Sequence, residues 1–247
     1  MNVYGLIGYP LGHSFSKKYF TEKFQEMGLS TTHEYKLFEL SAIQEFSQLL
    51  KDEQNLRGIN VTIPYKQAIM PFLDGLDASA LKVGAVNVIK FQENGQLIGY
   101  NSDYYGFKTS LESFLSDVNL LSIKALVLGN GGAAKAVVAA LNDLGIMYKS
   151  VSRTKSVDSI SYDEIPALMP DYQLIINCSP VGTYPNADQC PAIPYEVLTE
   201  NHYLYDLVYN PLETLFLQKA KQQGAKTHNG LPMLHLQAEK AWEVWCK

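Results

Sequence analysis

A glycine turn in the middle of the chain constrains the fold more than any other feature of the sequence. The run from Ile123 to Leu128 is apolar apart from Lys124, as expected for a parallel strand that is buried on both faces. Gly129, Gly131 and Ala134 then follow the pattern GxGxxG/A, and a helical pattern begins at Ala134. In such a unit the first glycine permits a sharp turn, the second lets a pyrophosphate approach the backbone, and the helix N-terminus stabilises the anion. The sequence therefore predicts a dinucleotide-binding unit; the alternative is a simple tight turn.

The segment after the next predicted strand indicates which dinucleotide is bound. NAD-binding folds commonly carry an acidic residue about 20 residues beyond the glycines, where it binds the ribose hydroxyls. Here the segment has no acid and offers two cations flanked by hydroxyls, namely Ser152, Arg153, Thr154 and Lys155. A guanidinium binds a phosphate in a bidentate manner, so this pattern favours NADP over NAD. The alternative is that both cations are solvated surface residues.

Short β-rich runs alternate with helical patterns in both halves of the chain, which predicts an α/β fold with parallel sheets. The predicted strands are Val3–Ile7, Tyr35–Leu40, Leu56–Ile63, a hairpin of Val86–Phe91 with Gln96–Tyr100, Ile123–Leu128, Met147–Ser152, Leu174–Asn177 and Tyr203–Leu207. The predicted helices are Phe15–Met27, one capped by Ser41 and ending near Lys51, Lys66–Phe72, Asp77–Lys82, Tyr105–Leu115, Ala134–Leu144, Pro211–Gln223 and Leu231–Trp245. We predict domains over residues 1–103 and 104–230, and a C-terminal helix over about 231–247 that packs back on the first domain.

Composition argues against several classes of protein. The chain has 20 Lys plus Arg against 25 Asp plus Glu, a net charge of −5, whereas proteins that grip nucleic acid usually carry a basic excess. No apolar stretch is long enough to span a bilayer, and the N-terminus does not resemble a secretion signal. The three cysteines show no CxxC pair and fit no metal-binding spacing, so we expect reduced thiols, no metal and a cytoplasmic location.

Three polar clusters in the first half are candidates for a ligand site. The first carries Ser14 and Ser16 between a strand and a helix, where the alternative role is helix capping. The second runs from Asn60 to Lys66, with Lys66 expected in the first turn of a helix; the alternative is an exposed lysine. The third ends at Asp103, which is also placed to cap the helix predicted from Tyr105.

Nine motifs occur in an order that resembles the shikimate dehydrogenase family over essentially the full length of the chain. They are GYPLGHSFS, NVTIPYK, GAVN, YNSDYYG, LGNGGAAKA, VSRT, NCSPVG, DLVYNP and NG-x-x-ML-x-x-Q. The resemblance implies an α/β substrate-binding domain and a Rossmann-like NADP-binding domain, with the active site in the cleft between them. It implies an oxidoreductase that reduces 3-dehydroshikimate to shikimate with NADPH, a step toward chorismate and the aromatic amino acids.

The resemblance also implies roles for individual residues. Lys66 and Asp103 are expected to form the catalytic pair, and both also contact substrate. The other expected substrate ligands are Ser14, Ser16, Thr62, Asn87, Tyr209 and Gln237. The expected cofactor ligands are Gly129, Asn130, Gly131, Gly132 and Ala133 at the pyrophosphate, Ser152, Arg153 and Thr154 at the 2′-phosphate, and Leu207 and Gly230 beside the nicotinamide.

The chain departs from the family pattern at some cofactor positions, and other functions stay open. Ser152 replaces a common Asn, Asn130 a common Ala, and Lys135 a common Arg whose planar group stacks on adenine. One alternative is a relative that acts on quinate or on an aminated shikimate, with NAD in place of NADP. Another is a catalytically silent NADP-binding regulator. We expect a monomer or homodimer whose partner is a small molecule, with neither nucleic acid nor membrane.

Overall fold

The computed structural model describes residues 1–12 and 14–247; His13, in the first polar cluster, lies outside the described residues. The chain forms two compact units. Unit 1 comprises Met1–Ser102 and Gln237–Lys247, and unit 2 comprises Asp103–Leu236. Across the described part of the chain, no helix is both long and apolar enough to cross a membrane.

Unit 1 is built on a mixed sheet of six strands in the order β2-β1-β3-β5-β6-β4. Its strands are β1 (Asn2–Gly8), β2 (His33–Glu39), β3 (Leu56–Val61), β4 (Gly75–Leu76), β5 (Val88–Phe91) and β6 (Leu97–Tyr100). β1 pairs in parallel with β2 and β3, while β5 runs antiparallel to β3 and β6, so the predicted hairpin is confirmed. The helices are α1 (Phe15–Glu26), α2 (Phe46–Asp52), α3 (Ala78–Val83) and the end of α8 (Leu231–Cys246).

The core of unit 1 lies on both faces of this sheet, because side chains alternate along each strand. Val3 and Ile7 of β1 belong to one apolar cluster, whereas Tyr4 and Leu6 belong to another that includes side chains of α1 and α8. Trp245 of α8 packs against the sheet and donates from Nε1 to the Ile89 carbonyl at 3.0 Å. Gly58 makes room for this ring, since an added Cβ would lie 2.3 Å from Trp245 Nε1.

Unit 2 is built on six parallel strands in the order β12-β11-β10-β7-β8-β9. They are β7 (Lys124–Leu128), β8 (Met147–Ser152), β9 (Ile160–Ser161), β10 (Leu174–Asn177), β11 (Tyr203–Asp206) and β12 (Lys226–His228). Counted from β7, this is the order 3-2-1-4-5-6 of the doubly wound dinucleotide-binding fold. The remaining helices are α4 (Ser102–Phe114), α5 (Gly132–Asp143), α6 (Ile165–Leu168) and α7 (Leu215–Gln222). The predicted α/β fold with a Rossmann-like half is confirmed.

Side chains of the central strands of unit 2 alternate between two apolar layers. Ala125 and Val127 belong to the layer that contains α4 and α5, whereas Leu126 and Leu128 belong to the layer that contains α6 and α7. Because both faces are covered, the strands read as apolar runs in the sequence.

Two predicted helices of unit 1 are partly wrong. The segment predicted as a helix from Lys66 forms successive turns and becomes a 3₁₀ helix only over Met70–Phe72. The Lys66 carbonyl accepts from Val86 N at 2.7 Å, which withdraws it from a helical ladder. Ser41 does not cap an α-helix, because its hydroxyl donates to the Glu45 carboxylate and Ala42 is the residue that precedes the 3₁₀ helix Ile43–Glu45.

Other differences concern boundaries and very short elements. β3 ends at Val61, two residues earlier than predicted, and α4 begins at Ser102, three residues earlier than predicted. α7 begins only at Leu215, where Thr214 caps it. The sequence analysis missed β4, β9, β12 and α6, which have two to four residues each and therefore too few positions to show a period.

Candidate active site

The glycine turn of unit 2 has the geometry that a dinucleotide requires. Gly129 directly follows β7 at φ +112°, a conformation that favours glycine. Gly131 precedes α5 and has no atom within 4 Å of an added Cβ, so open space lies beside its backbone. α5 has no side-chain cap, which suits an anion at its N-terminus. The residues present therefore fit the pyrophosphate of a dinucleotide.

The glycine turn lies at the topological switch point of the sheet. The neighbours β7 and β10 are where the strand order reverses, and ligands of such folds bind outside the carboxyl ends of these strands. An added Cβ on Gly129 would lie 3.3 Å from the Cys178 carbonyl carbon, just beyond β10. The loops after β7 and β10 are therefore in close contact.

The two residues predicted beside the nicotinamide lie together. Gly230 N donates to the Val208 carbonyl at 3.2 Å, and an added Cβ on Gly230 would lie 2.1 Å from the Leu207 carbonyl oxygen. Leu207 N in turn donates to the Asn177 carbonyl at 3.0 Å. Only glycine fits at position 230 against this backbone.

A buried carboxylate that the sequence analysis did not select joins two loops at this edge of the sheet. Asp206, the last residue of β11, accepts from Asn177 Nδ2 at 2.9 Å, Val208 N at 3.0 Å and Thr214 Oγ1 at 2.5 Å. Asn177 also accepts from Ser179 N at 3.0 Å, in the loop after β10. Burial raises the pKa of Asp206 to about 6, and its three hydrogen bonds act in the opposite direction. Asp206 and Asn177 both stand in motifs quoted above. Their polar side chains at the ends of apolar strands were the signal by which the sequence analysis could have selected them.

The segment predicted for the 2′-phosphate divides into exposed and buried parts. Arg153 and Thr154 are exposed beyond the end of β8. Ser152 is buried; its hydroxyl hydrogen-bonds the Thr154 carbonyl at 2.5 Å and Ser159 Oγ at 2.7 Å. Lys155 pairs with Glu164 at 3.0 Å, and this exposed pair contributes little to stability. Ser152 therefore supports the loop that carries Arg153.

In unit 1, several predicted substrate ligands lie at the edge where β1 and β3 end. Ser14 is the N-cap of α1 and its Oγ accepts from Lys17 N at 3.3 Å, while Ser16 stands in the first turn of the helix. Thr62 follows β3, and its N donates to the Ile7 carbonyl of β1 at 2.9 Å. Lys66 is half-buried, and its carbonyl accepts from Val86, the residue before Asn87.

Asn87 is the centre of a buried polar group in unit 1. Its Nδ2 donates to Ser102 Oγ at 3.0 Å and to Gln237 Oε1 at 3.5 Å, and its Oδ1 accepts from Ser102 N at 2.7 Å. Asn60 Nδ2 donates to the Asn87 carbonyl at 3.4 Å. The structure thus brings together Asn87 and Gln237, two predicted ligands that are 150 residues apart in the sequence.

The remaining predicted residues belong to unit 2. Asp103 is buried in the first turn of α4, directly after Ser102. Tyr209 is exposed in the loop after β11. Asn130 is exposed in the glycine turn, between Gly129 and Gly131.

The parallel sheet with a glycine turn at its switch point defines unit 2 as a dinucleotide-binding domain. Residues 6–89, within unit 1, match the family pattern described as the shikimate dehydrogenase substrate binding domain. The shikimate dehydrogenase (NADP(+)) of Clostridium beijerinckii is 40% identical, over 99% of this chain and 92% of its own length. The chain belongs to the shikimate dehydrogenase family.

Solved structures agree with this assignment. The Thermus thermophilus enzyme in complex with NADP(H) and shikimate is 30% identical and has a TM-score of 0.85, over 99% of this chain and 93% of its own. The quinate dehydrogenase of Corynebacterium glutamicum, in complex with NAD, is 26% identical and has a TM-score of 0.88, over 99% and 93% of the two chains.

Proposed function

We propose that this protein catalyses the reversible, NADPH-dependent reduction of 3-dehydroshikimate to shikimate on the route to chorismate. The observation that supports this proposal is that one chain combines a glycine turn at the switch point of a sheet with a buried polar group around Asn87. The relatives named NADP-dependent shikimate dehydrogenases cover nearly the whole chain.

The residues of unit 2 provide the proposed cofactor site. When bound, NADPH supplies the hydride that the reduction of the ketone requires. The backbone from Gly129 to Ala133 is placed for the pyrophosphate, and Leu207 with Gly230 for the nicotinamide. Arg153 and Thr154 are exposed and suit the 2′-phosphate, whereas Ser152 acts by holding their loop.

The residues of unit 1 provide most of the proposed substrate site. Hydroxyl groups of Ser14 and Ser16 bind the carboxylate, and Tyr209 of unit 2 is assigned to the same group. Thr62, Asn87 and Gln237 bind carboxylate or ring hydroxyl groups, since amides and hydroxyls offer both donors and acceptors.

Lys66 and Asp103 are the proposed catalytic residues. As hydride reaches the ketone carbon, the oxygen develops negative charge. Lys66 Nζ stabilises this charge and donates a proton to the oxygen, which completes the hydroxyl group. Asp103 accepts a hydrogen bond from a neighbouring substrate hydroxyl and so fixes the ring.

Product analysis tests this proposal. The protein is incubated with 3-dehydroshikimate and NADPH, and both shikimate and NADP are quantified by mass spectrometry. Equal amounts of the two products support the proposal. Binding of NADPH without any product would favour the regulator.

One further candidate rests on a specific observation, the likeness to a quinate dehydrogenase that binds NAD. The absence of an acid between Ser152 and Lys155 favours the NADP-dependent reaction over that alternative. We further propose that the protein is cytoplasmic, acts without nucleic acid and is a monomer or homodimer. Light scattering during size-exclusion chromatography would measure its oligomeric state.

A further inference from the structure

The carboxylate at the end of β11 is hydrogen-bonded to the backbone of the proposed nicotinamide site. The Oδ1 atom of Asp206 accepts from Val208 N at 3.0 Å and from Asn177 Nδ2 at 2.9 Å. The Val208 carbonyl in turn accepts from Gly230 N at 3.2 Å. Val208 thus connects the carboxylate to Gly230, one of the two residues proposed beside the nicotinamide, whereas Asp206 itself is none of the predicted ligands.

The second of these residues, Leu207, is held by the same group of hydrogen bonds. Leu207 lies between Asp206 and Val208 in the chain, and its N donates to the Asn177 carbonyl at 3.0 Å. Asn177 therefore holds this turn twice, through its own carbonyl and through its side-chain bond to Asp206. The Leu207 carbonyl lies directly against Gly230, where an added Cβ would be 2.1 Å from the oxygen. The turn has little freedom to move while these bonds are made.

The carboxylate is fixed in one orientation and enclosed by protein. Its second oxygen, Oδ2, accepts from Thr214 Oγ1 at 2.5 Å, and Thr214 is the N-cap of α7. Asp206, Asn177 and Thr214 are completely buried. A carboxylate so enclosed does not touch a dinucleotide, so its effect on the cofactor passes through the backbone that it holds.

We propose that Asp206 is a positioning residue for hydride transfer, which fixes the turn of Leu207 and Val208 against Gly230 and so aligns the nicotinamide. The proposal rests on the proposed function, because it takes Leu207 and Gly230 as the residues beside the nicotinamide. Misplacement of a reacting group by about 1 Å costs on the order of 10² in rate. The pyrophosphate and the adenosine are assigned to the loops after β7 and β8, so their binding should not depend on Asp206.

Two substitutions at this position test the proposal. Asp206→Ala removes both acceptor atoms, whereas Asp206→Asn keeps an oxygen that faces Val208 N and Asn177 Nδ2. The new amide group then donates to Thr214 Oγ1, since a hydroxyl oxygen also accepts. We expect kcat for the oxidation of shikimate by NADP to fall about 100-fold in Asp206→Ala and less than about fivefold in Asp206→Asn. Rescue by the amide would show that Asp206 supplies position rather than charge.

Binding of 2′-phospho-ADP-ribose, which is NADP without its nicotinamide, separates positioning from a general loss of structure. Calorimetry with this compound counts the folded sites, and kcat is then expressed per folded site. We expect its Kd to change less than about twofold in Asp206→Ala, because it lacks the group that Asp206 aligns. A Kd that rises as far as kcat falls would overturn the proposal, and so would an unchanged kcat per folded site.

His202→Ala is the matched control. His202 is also buried in unit 2, and its Nδ1 likewise accepts from a backbone N–H, that of Thr199, at 3.0 Å. It directly precedes β11 and so lies at the opposite end of this strand from Asp206. We expect His202→Ala to lower the melting temperature and to leave kcat per folded site unchanged. An equal fall in kcat per folded site for His202→Ala and Asp206→Ala would overturn the proposal.

Thr214→Val replaces Asp206→Ala as the test if the latter does not fold. It keeps the carboxylate and removes only the hydroxyl that holds Oδ2. We expect kcat per folded site to fall about tenfold, and Thr214→Ser, which keeps the bond to Asp206 and the cap of α7, to restore it. An unchanged kcat in folded Thr214→Val would overturn the proposal. Failure of the proposed function is separable, because it would appear as absent turnover of shikimate in the unmodified protein.

Discussion

The two units handle buried polarity in different ways. In unit 1 the buried network that the described residues form consists of neutral groups, the hydroxyls and amides of Tyr35, Asn60, Asn87 and Ser102. In unit 2 the network is built around a carboxylate, Asp206, with Asn177 and Thr214 as donors. A network of neutral groups fixes the directions of its hydrogen bonds, and its contribution to stability does not depend on pH. A buried carboxylate makes the stability of its unit depend on pH. The comparison predicts separable effects of mutations in the two units.

The largest effect is expected for Lys66→Ala, which removes the proposed proton donor. Turnover of shikimate should fall on the order of 10² to 10⁴ times, as for loss of a general acid, while calorimetric binding of NADP to unit 2 persists. If the affinity for NADP falls as far as turnover does, the effects of mutations in the two units are not separable. Retention of more than about a tenth of the turnover would exclude Lys66 as the acid.

Asp206→Asn tests whether the stability of unit 2 depends on pH through this carboxylate. The folded pKa of about 6 lies above the ordinary value of 3.8, so the folded protein holds the proton more tightly than the unfolded chain. The resulting stability is complete below about pH 4 and is lost as the pH rises through 6, by roughly 3 kcal/mol at most.

Urea denaturation between pH 4 and 7.5 measures this effect. The unfolding free energy of the protein should fall relative to that of Asp206→Asn as the pH rises from 4 to 7.5. Asp74→Asn, which removes an exposed carboxylate of unit 1, controls for the loss of one negative charge. Parallel pH profiles for the protein and Asp206→Asn would refute the assignment of this carboxylate.

Gly131→Val separates folding from cofactor binding in unit 2. An added Cβ meets no atom within 4 Å, so the fold should tolerate the side chain. The space that it fills is the one proposed for the pyrophosphate, and the Kd for NADP should rise about 30-fold or more. Gly131→Ala should give a smaller rise, and neither variant should change the melting temperature by more than a few degrees. An unaltered Kd in Gly131→Val would place the cofactor elsewhere.

Arg153→Ser is expected to have the smallest effect. Loss of an exposed guanidinium should lower the preference for NADP over NAD about tenfold, measured as the ratio of kcat/KM values. Lys149→Ser removes another exposed cation, on β8 itself, and serves as the control. Equal ratios in the two variants would show that Arg153 does not read the 2′-phosphate.

The sequence predicted the regular parts of both units well, for physical reasons. Long periodic segments such as α1 and the apolar strands β7 and β10 carry many positions with one consistent pattern. The Lys66–Phe72 segment was predicted wrongly because a long-range contact decides its shape, the bond from Val86 N to the Lys66 carbonyl. Such a bond leaves no periodic signal.

The sequence predicted which residues belong to the candidate site, but not the hydrogen bonds that connect them. Motif order selected Ser16, Asn87 and Gln237, and their roles stay predictions. Nothing local in the sequence indicates that the hydroxyl of Tyr35 donates to Asn60, or that the hydroxyl of Ser152 turns toward Ser159. These contacts depend on strand pairing and loop closure, which bring together residues that are distant or irregularly spaced.

The central claim, an NADP-dependent reaction on shikimate, is tested most directly by steady-state kinetics with four substrate pairs. Shikimate and quinate are each combined with NADP and with NAD, and the absorbance of the reduced nicotinamide is followed. The highest kcat/KM, by at least about tenfold, is predicted for shikimate with NADP. A higher kcat/KM for quinate with NAD would contradict the account and favour a quinate dehydrogenase that uses NAD.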